Sequence, residues 1–355
     1  MKIMFIIPTL KQGGMERVVS ELANYANTKG YDVSIIFLEK NSLFYHLDER
    51  INTYFPSFGY QKTFISKLIF KIKLLFYIRK IVLKVQPISV FSLPHKYNSL
   101  SVLALFKTKV PIYVSDRSNP KNNIGFFQEL FRKLMYPYAN GIIAQTRFAE
   151  LTMIQKGIRN DNYKVIPNPV KVLKFHNTIS LSPKVVLNIG RLTSGKNQKH
   201  LIEIFNEIND NTWQLIIVGS GPLQQELQSY INEIGANNVK LAGSSNDVDK
   251  WLAIAEIFAF TSISEGFPNA LLEAMCYPVA CISYDCDAGP RDIIKNGENG
   301  ILIPIDNRQK YKEILKEMMQ REDLRNSLKA ESYKLREQYS IDKIGMKFLN
   351  FITKK

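Results

Sequence analysis

The sequence predicts an α/β chain made of two doubly wound domains, each a parallel sheet covered by helices on both faces. Three observations point to it. The length of 355 residues exceeds what a single core usually fills, about 250 to 300 residues. Short apolar runs of strand type alternate with helical patterns in both halves. Midway, the paired prolines of Ile166-Pro167-Asn168-Pro169-Val170 enforce extended backbone ahead of a polar stretch ending at Pro183, which places a hinge there.

In the first half, residues 3–7, 33–38, 88–93, 112–114 and 142–144 read as strands. The run 3–7 is too short for a signal-peptide core and is closed by Pro8, so it reads as the first strand. The second half repeats the pattern at 185–189, 215–218, 239–241, 257–260, 279–283 and 301–303. From Asp306 onward the chain is charged and helical, and the helix expected at 341–352 is apolar enough to return to the first domain. The expected division is residues 1–168, 169–335 and a returning segment 336–355. Two facing doubly wound domains bind nucleotides and their conjugates at the carboxyl ends of their strands, so function is sought in the loops that follow strands.

Composition narrows the classes. Three cysteines, Cys276, Cys281 and Cys286, form no C-x-x-C pair, which implies a reducing compartment and no zinc site. The net charge of +15 is concentrated: residues 51–115 hold ten basic residues and no Asp or Glu. Within it, 62–84 reads as one helix on which Lys62, Lys73, Lys80 and Lys84 share a stripe and apolar side chains cover nearly all the rest. Its seven basic residues argue against a transmembrane span. A helix lying on an anionic membrane is one reading, and a helix packed on its sheet with a solvated lysine face is the other. No nucleic-acid recognition motif accompanies the charge, so nucleic acid is not expected as a partner.

Ser264-Glu265-Gly266-Phe267-Pro268-Asn269 leads into Ala270 to Met275, a turn followed by a helix with Pro268 expected at its first position. Glu265 then lies on the loop and Glu273 inside the helix. Carboxylates accept hydrogen bonds from sugar hydroxyls while helix-end amides donate to phosphate, so a phosphorylated, hydroxyl-rich ligand suits both. Read alone, the same residues describe a helix start and a solvated glutamate. Gly190-Arg191-Leu192-Thr193-Ser194-Gly195-Lys196-Asn197 resembles a phosphate loop without its final Ser or Thr, so Arg191 and Lys196 suit a metal-free diphosphate clamp better than ATP hydrolysis. Gly219-Ser220-Gly221-Pro222 is a truncated dinucleotide fingerprint, either a tight turn or a place where backbone nears a ligand. Gly13-Gly14 opens a helix directly after the first strand. Asp285-Cys286-Asp287 matches a metal-holding D-x-D, but its continuation reads as a glycine turn entering a helix at Pro290, and the turn is favoured.

These segments occur in the order seen in retaining glycosyltransferase family 4, which the chain resembles over almost its full length: Gly13-Gly14-x-Glu16-Arg17, the Ile166 to Pro169 element, Gly190-Arg191-Leu192 with Lys196-Asn197, Gly219-x-Gly221-Pro222, Ser264 to Glu273, and Gly289-Pro290-Arg291-Asp292 with Asn296-Gly297-x-Asn299-Gly300. The resemblance implies a GT-B fold, with the acceptor on the N-terminal domain and a nucleotide-sugar, expected to be UDP-linked, on the C-terminal one. It implies that Arg191 and Lys196 bind the donor diphosphate near Gly14, Gly219 and Gly221. Glu265 would face the donor sugar, Phe267, Pro268 and Asn269 would present the helix terminus to phosphate, and Glu273 would bind ribose. It further implies retention, no metal and no cofactor. Where several relatives carry a histidine, this chain has Ser115-Asp116-Arg117-Ser118-Asn119-Pro120, which makes Arg117 the candidate acceptor contact, with His95 at another strand end as a second. The basic helix resembles features of members that extend sugars on polyprenyl diphosphate, which implies a lipid-linked glycan acceptor and a peripheral enzyme on the inner membrane face. A GT-B epimerase or phosphorylase, or a noncatalytic nucleotide-binding scaffold, are the alternatives.

Overall fold

The structure is a computed structural model that describes residues 1–11, 13–39, 43–61, 63–171, 182–245, 247–332 and 334–354. The chain divides into two compact units, Met1–Pro169 with Ser340–Lys355, and Val170–Tyr339.

The first unit is built on seven strands: β1 (Lys2–Ile7), β2 (Asp32–Phe37), β3 (Asn52–Tyr54), β4 (Ser89–Ser92), β5 (Ile112–Ser115), β6 (Gly141–Ala144) and β7 (Tyr163–Val165). They pair in parallel in the order β3-β2-β1-β4-β5-β6-β7. Strand side chains alternate between faces, and β1 shows the consequence. Ile3, Phe5 and Ile7 enter one core, Met4 and Ile6 the other, and all five are buried. A strand covered on both faces must be apolar at every position, which is why 3–7 reads as an unbroken run. Full burial of each such side chain contributes about 1.5–3 kcal/mol.

The edge strands β3 and β7 escape the sequence reading. Each has three residues, none buried, so neither carries an apolar run to detect.

The second unit repeats the architecture with β8 (Lys184–Ile189), β9 (Trp213–Val218), β10 (Val239–Gly243), β11 (Ala255–Phe260), β12 (Ala280–Asp285) and β13 (Ile301–Pro304). All pairs are parallel, in the order β10-β9-β8-β11-β12-β13. In both sheets the order reverses beside the first strand, between β1 and β4 and between β8 and β11. Each sheet therefore has its switch point there, with loops diverging at the carboxyl ends.

The Ile341–Ile352 helix belongs to the first unit. Phe348 stacks on Phe5 with centroids 5.9 Å apart and meets Phe91 edge-on at 4.8 Å. The division expected after residue 335 falls instead after Tyr339. The Leu335–Gln338 helix stays with the second unit because Leu335 and Tyr339 sit in its core, Arg336 donates to the Cys276 carbonyl at 2.7 Å, and Val170 N–H donates to Tyr339 O at 2.8 Å. The first boundary likewise falls one residue past the expected 168, after Pro169.

Candidate functional site

In the second unit the loops after β8 and β11 meet at the switch point. The β8 loop runs from Gly190 through a 3-10 turn at Ser194–Lys196 into the Gln198–Ile208 helix. The β11 loop runs from Thr261 to Pro268. Ile263 N–H donates to Gly195 O at 3.0 Å and Thr261 Oγ1 donates to Lys196 O at 3.1 Å, which clamps one loop to the other. This clamp delivers Lys196 Nζ to Glu265 Oε1 in a charge-assisted hydrogen bond. Glu265 is buried and the Lys196 ammonium also lies 5.5 Å from the centre of the Phe260 ring. The phosphate-loop lysine and the loop glutamate, 69 residues apart, thus form one unit. An ammonium has three donors, and this bond uses one.

Arg191 lies beside them on the same loop. Its side chain is exposed and, among the described residues, makes no ion pair or hydrogen bond. A free guanidinium next to a lysine already held in place is suited to gripping a diphosphate, since it can offer two parallel donors.

The Gly219 and Gly221 turn packs against the loop that carries Arg191. At both glycines the nearest backbone is that of residues 190–192. Gly190 N–H donates to Val218 O at 3.0 Å, Leu192 N–H donates to Ser220 O at 3.0 Å, and Leu223 N–H to Leu192 O at 3.2 Å. A Cβ at Gly219, whose φ is 150°, would overlap the Gly190 carbonyl oxygen, and one at Gly221 would overlap Leu192 O. These glycines hold the arginine-bearing loop in position.

Glu273 is buried in the Asn269–Met275 helix, not solvated. Pro268 precedes that helix as its cap instead of opening it, and its carbonyl accepts the first intrahelical bond, from Leu272 N–H at 3.0 Å. Phe267 is buried beneath the turn. Gly289, at φ 103°, packs so closely on the Pro268 ring that a Cβ would overlap it, which ties the next loop to this one.

Asp285 ends β12 and holds Arg291 through two bonds, Nε to Oδ1 at 3.0 Å and Nη2 to Oδ2 at 2.9 Å, while the following helix starts at Pro290. Among the described residues no group of three His, Cys, Asp or Glu side chains is arranged to hold a metal ion. All three cysteines are buried and free. The Cys286 thiol is pushed up to about 12, chiefly by burial and then by the Glu265 charge.

In the first unit the switch-point loops carry different chemistry. Gly14 is the exposed first residue of the Gly14–Thr28 helix, and Gly13 is held by the Tyr45 hydroxyl, which accepts from its N–H at 3.1 Å and donates to its carbonyl at 3.0 Å. His95 opens the Tyr97-bearing helix His95–Leu105, and its Nδ1 lies 3.3 Å from Ser118 Oγ. Arg117, one residue before Ser118, bonds through Nη1 to Asn168 Oδ1, which also accepts from Gln145 Nε2 at 2.9 Å. The two residues proposed separately for the acceptor, His95 and Arg117, therefore lie on one cluster. Burial lowers the Arg117 guanidinium to about 10, and its buried Nε has no hydrogen-bond partner. Asn168 did not stand out as a partner of Arg117 because its motif reads as a hinge; its side chain is buried and bonds the arginine.

The basic helix spans Phe64–Val85, capped by Thr63, so Lys62 lies outside the described residues. Lys73, Lys80 and Lys84 are exposed, with Lys73 Nζ 5.9 Å from the Phe58 ring centre. Phe70, Leu74, Ile78, Ile81 and Val82 face the core. The outer face mixes these lysines with apolar side chains: Phe64, Ile65, Leu68, Ile69, Ile72, Phe76 and Leu83 are also exposed. No described helix is long and apolar enough to cross a membrane.

The comparisons with known proteins decide the family. The profile of "Glycosyl transferases group 1" matches residues 170–335 and that of "Glycosyltransferase Family 4" matches residues 12–172. The chain belongs to the family 4 glycosyltransferases. It is 27% identical over 363 residues, 99% of this chain and 98% of the relative, to the Campylobacter jejuni GalNAc-alpha-(1->4)-GalNAc-alpha-(1->3)-diNAcBac-PP-undecaprenol alpha-1,4-N-acetyl-D-galactosaminyltransferase. Among solved structures it is similar to the lipopolysaccharide outer core galactosyltransferase WaaB in its apo form, at TM-score 0.79 and 23% identity over 99% of both chains. It is also similar to Anabaena HepE in complex with UDP and glucose, at TM-score 0.82 and 18% identity over 100% of both chains. The family 4 glycosyltransferase described here thus has the GT-B fold, two Rossmann-like units with parallel sheets, as the resemblance implied.

Proposed function

We propose that this glycosyltransferase moves a hexose or N-acetylhexosamine from a UDP-sugar, with retention, to a hydroxyl of a polyprenyl-diphosphate-linked glycan during assembly of a cell-surface polysaccharide. The observation that carries the reading is the Lys196–Glu265 pair beside the free Arg191 at the switch point of the second sheet. The pair sets a carboxylate to accept hydrogen bonds from sugar hydroxyls against a cation for the departing diphosphate. In this reading Arg191 and Lys196 carry the charge that develops on the leaving group, without a metal or other cofactor, the term that commonly dominates such catalysis. Glu273 takes the ribose, and Phe267, Pro268, Asn269 and Gly14 complete the donor pocket. As the C1–O bond to diphosphate breaks, the acceptor oxygen forms its bond on the same face, and its proton passes to a donor phosphate oxygen. Arg117 and His95 contact the acceptor.

The named acceptor of the Campylobacter relative and the UDP bound to HepE support the two substrate classes. Lys73, Lys80 and Lys84 on a helix that also exposes apolar side chains support a peripheral position on the inner face of an anionic membrane, each near-surface cation contributing about 1 kcal/mol.

The test is to incubate purified protein with UDP- and GDP-sugars, with and without a sugar on a lipid diphosphate. Acceptor-dependent UDP release that persists in EDTA, with an α-anomeric product from an α-linked donor, is expected. Absence of acceptor-dependent release with every donor overturns the proposal. For the membrane role, sedimentation with phosphatidylglycerol vesicles should fall when Lys73, Lys80 and Lys84 are changed to Glu, and unchanged binding would refute it.

A further inference from the structure

The Gln198–Ile208 helix opens on a side chain that is out of place at a helix start. Glutamine is mostly exposed in folded proteins, yet Gln198 is 1% exposed, on the helix that also buries Leu201, Ile202, Ile204 and Phe205. Its amide is only half satisfied. Nε2 donates to the Arg191 carbonyl at 3.2 Å, while the buried Oε1 has no hydrogen-bond partner among the described residues. Replacing such a group by an apolar side chain of like shape is near neutral or stabilising, so stability alone does not account for a glutamine here. Nor does its one bond serve its own helix, since it runs out to the loop that carries Arg191.

That bond completes the fixing of a single peptide plane. The C=O of Arg191 and the N–H of Leu192 belong to one planar unit. The N–H donates to Ser220 O at 3.0 Å and the C=O accepts from Gln198, so the unit is held at both edges. The chain on either side is held too: Gly190 N–H donates to Val218 O at 3.0 Å, and Leu192 O accepts from Leu223 N–H at 3.2 Å. A plane gripped at both edges does not rotate about the chain, and this sets the direction in which the Arg191 side chain leaves the backbone. The guanidinium itself makes no ion pair or hydrogen bond among the described residues, so it is a free donor on a fixed root. A long side chain grips a ligand more tightly from a fixed root, because less ordering is left to the binding step.

We propose that Gln198 is a positioning residue for the diphosphate site: it holds the Arg191–Leu192 peptide, acts only through Arg191 and touches no substrate. The inference rests on the assignment of Arg191 to the leaving diphosphate in the proposed function, and it adds the side chain that aims it.

The test is a double-mutant cycle on the full chain, with UDP and GDP as probes and binding read by calorimetry. Gln198→Met keeps the length of the side chain and removes both polar atoms. It should weaken binding of the nucleoside diphosphate that wild type prefers by about fivefold or more, while Tm stays level or rises because the unpaired carbonyl is gone. Arg191→Ala should weaken binding at least as much. In the Arg191→Ala background Gln198→Met should add less than about twofold, since two residues that act as one unit are not additive. Gln198→Leu is the second variant, with the same expectation. Unchanged binding by both Gln198 variants, with or without a fall in Tm, overturns the positioning role, and so do fully additive losses in the cycle. Absence of binding by wild type to either nucleotide overturns the assignment of Arg191 itself, and the positioning role with it; a wild type that binds beside variants that bind equally well counts against Gln198 alone.

Discussion

The two units share the strand order 3-2-1-4-5-6 and the same switch point, yet they place opposite chemistry there. The second unit concentrates fixed charge: the Lys196–Glu265 pair, a free Arg191, and loops pinned by backbone hydrogen bonds. The first unit presents a histidine–serine contact and a desolvated Arg117. Topology determines where a ligand sits, and loop chemistry determines which. The contrast suits a donor whose diphosphate must be stabilised as it leaves and an acceptor that must only be positioned.

The largest effect that would sharpen this contrast is expected at the pair. Glu265→Gln and Lys196→Ala should each lower kcat/KM by about 10²–10³ while leaving binding of the lipid-linked acceptor unchanged. An equal loss of both would break the division of labour between the units. Next comes Gly219→Ala, which forces a side chain into a left-handed backbone and onto the Gly190 carbonyl oxygen. It should destabilise the protein by about 1–3 kcal/mol and raise the KM for the donor, measured by denaturant unfolding and initial rates.

Arg117→Met probes the first unit. Removing a desolvated guanidinium should leave Tm unchanged or slightly higher, yet lower acceptor-dependent turnover about tenfold or more. A drop in Tm with normal turnover would make Arg117 a structural residue.

The smallest effect is a pH dependence in the second unit. His200 contacts the Tyr284 hydroxyl at 2.7 Å, and burial, followed by the Arg308 charge, lowers its pKa. The unfolded chain then binds the proton more readily than the fold does. The contribution is fully present above the unfolded value of about 6.5 and is lost as pH falls below it toward the folded pKa. Tm should therefore be lower at pH 5 than at pH 8, and His200→Gln should reduce the difference.

Most of the fold was legible because its strands are buried on both faces. Continuous apolar runs such as 3–7 and 215–218 leave a plain signal, whereas β3 and β7, with no buried residue, leave none. The candidate site of the second unit was legible as residue types and order: Arg191, Lys196, Glu265 and Glu273 stood out from their loops. Their relations were not. Nothing in residues 190–197 says that Lys196 is engaged by a glutamate 69 positions later, nor that Gly219 serves the arginine loop. Asn168 was read only as part of a proline turn because its partners, Arg117 and Gln145, are 51 and 23 residues away.

From its sequence alone this protein declares two parallel α/β domains, a hinge near Pro169, a returning terminal helix and the ordered motifs of a family 4 glycosyltransferase. Periodicity, proline and glycine act locally, over a few residues, so a sequence carries them openly. Tertiary structure alone decided which charges are paired, which arginine is left free, and which apolar side chains of the 64–85 and 126–135 helices are exposed. Those outcomes depend on contacts between residues distant in the chain. In the second helix the buried Arg132, tied to Asp116 and Glu129, determines which side faces out.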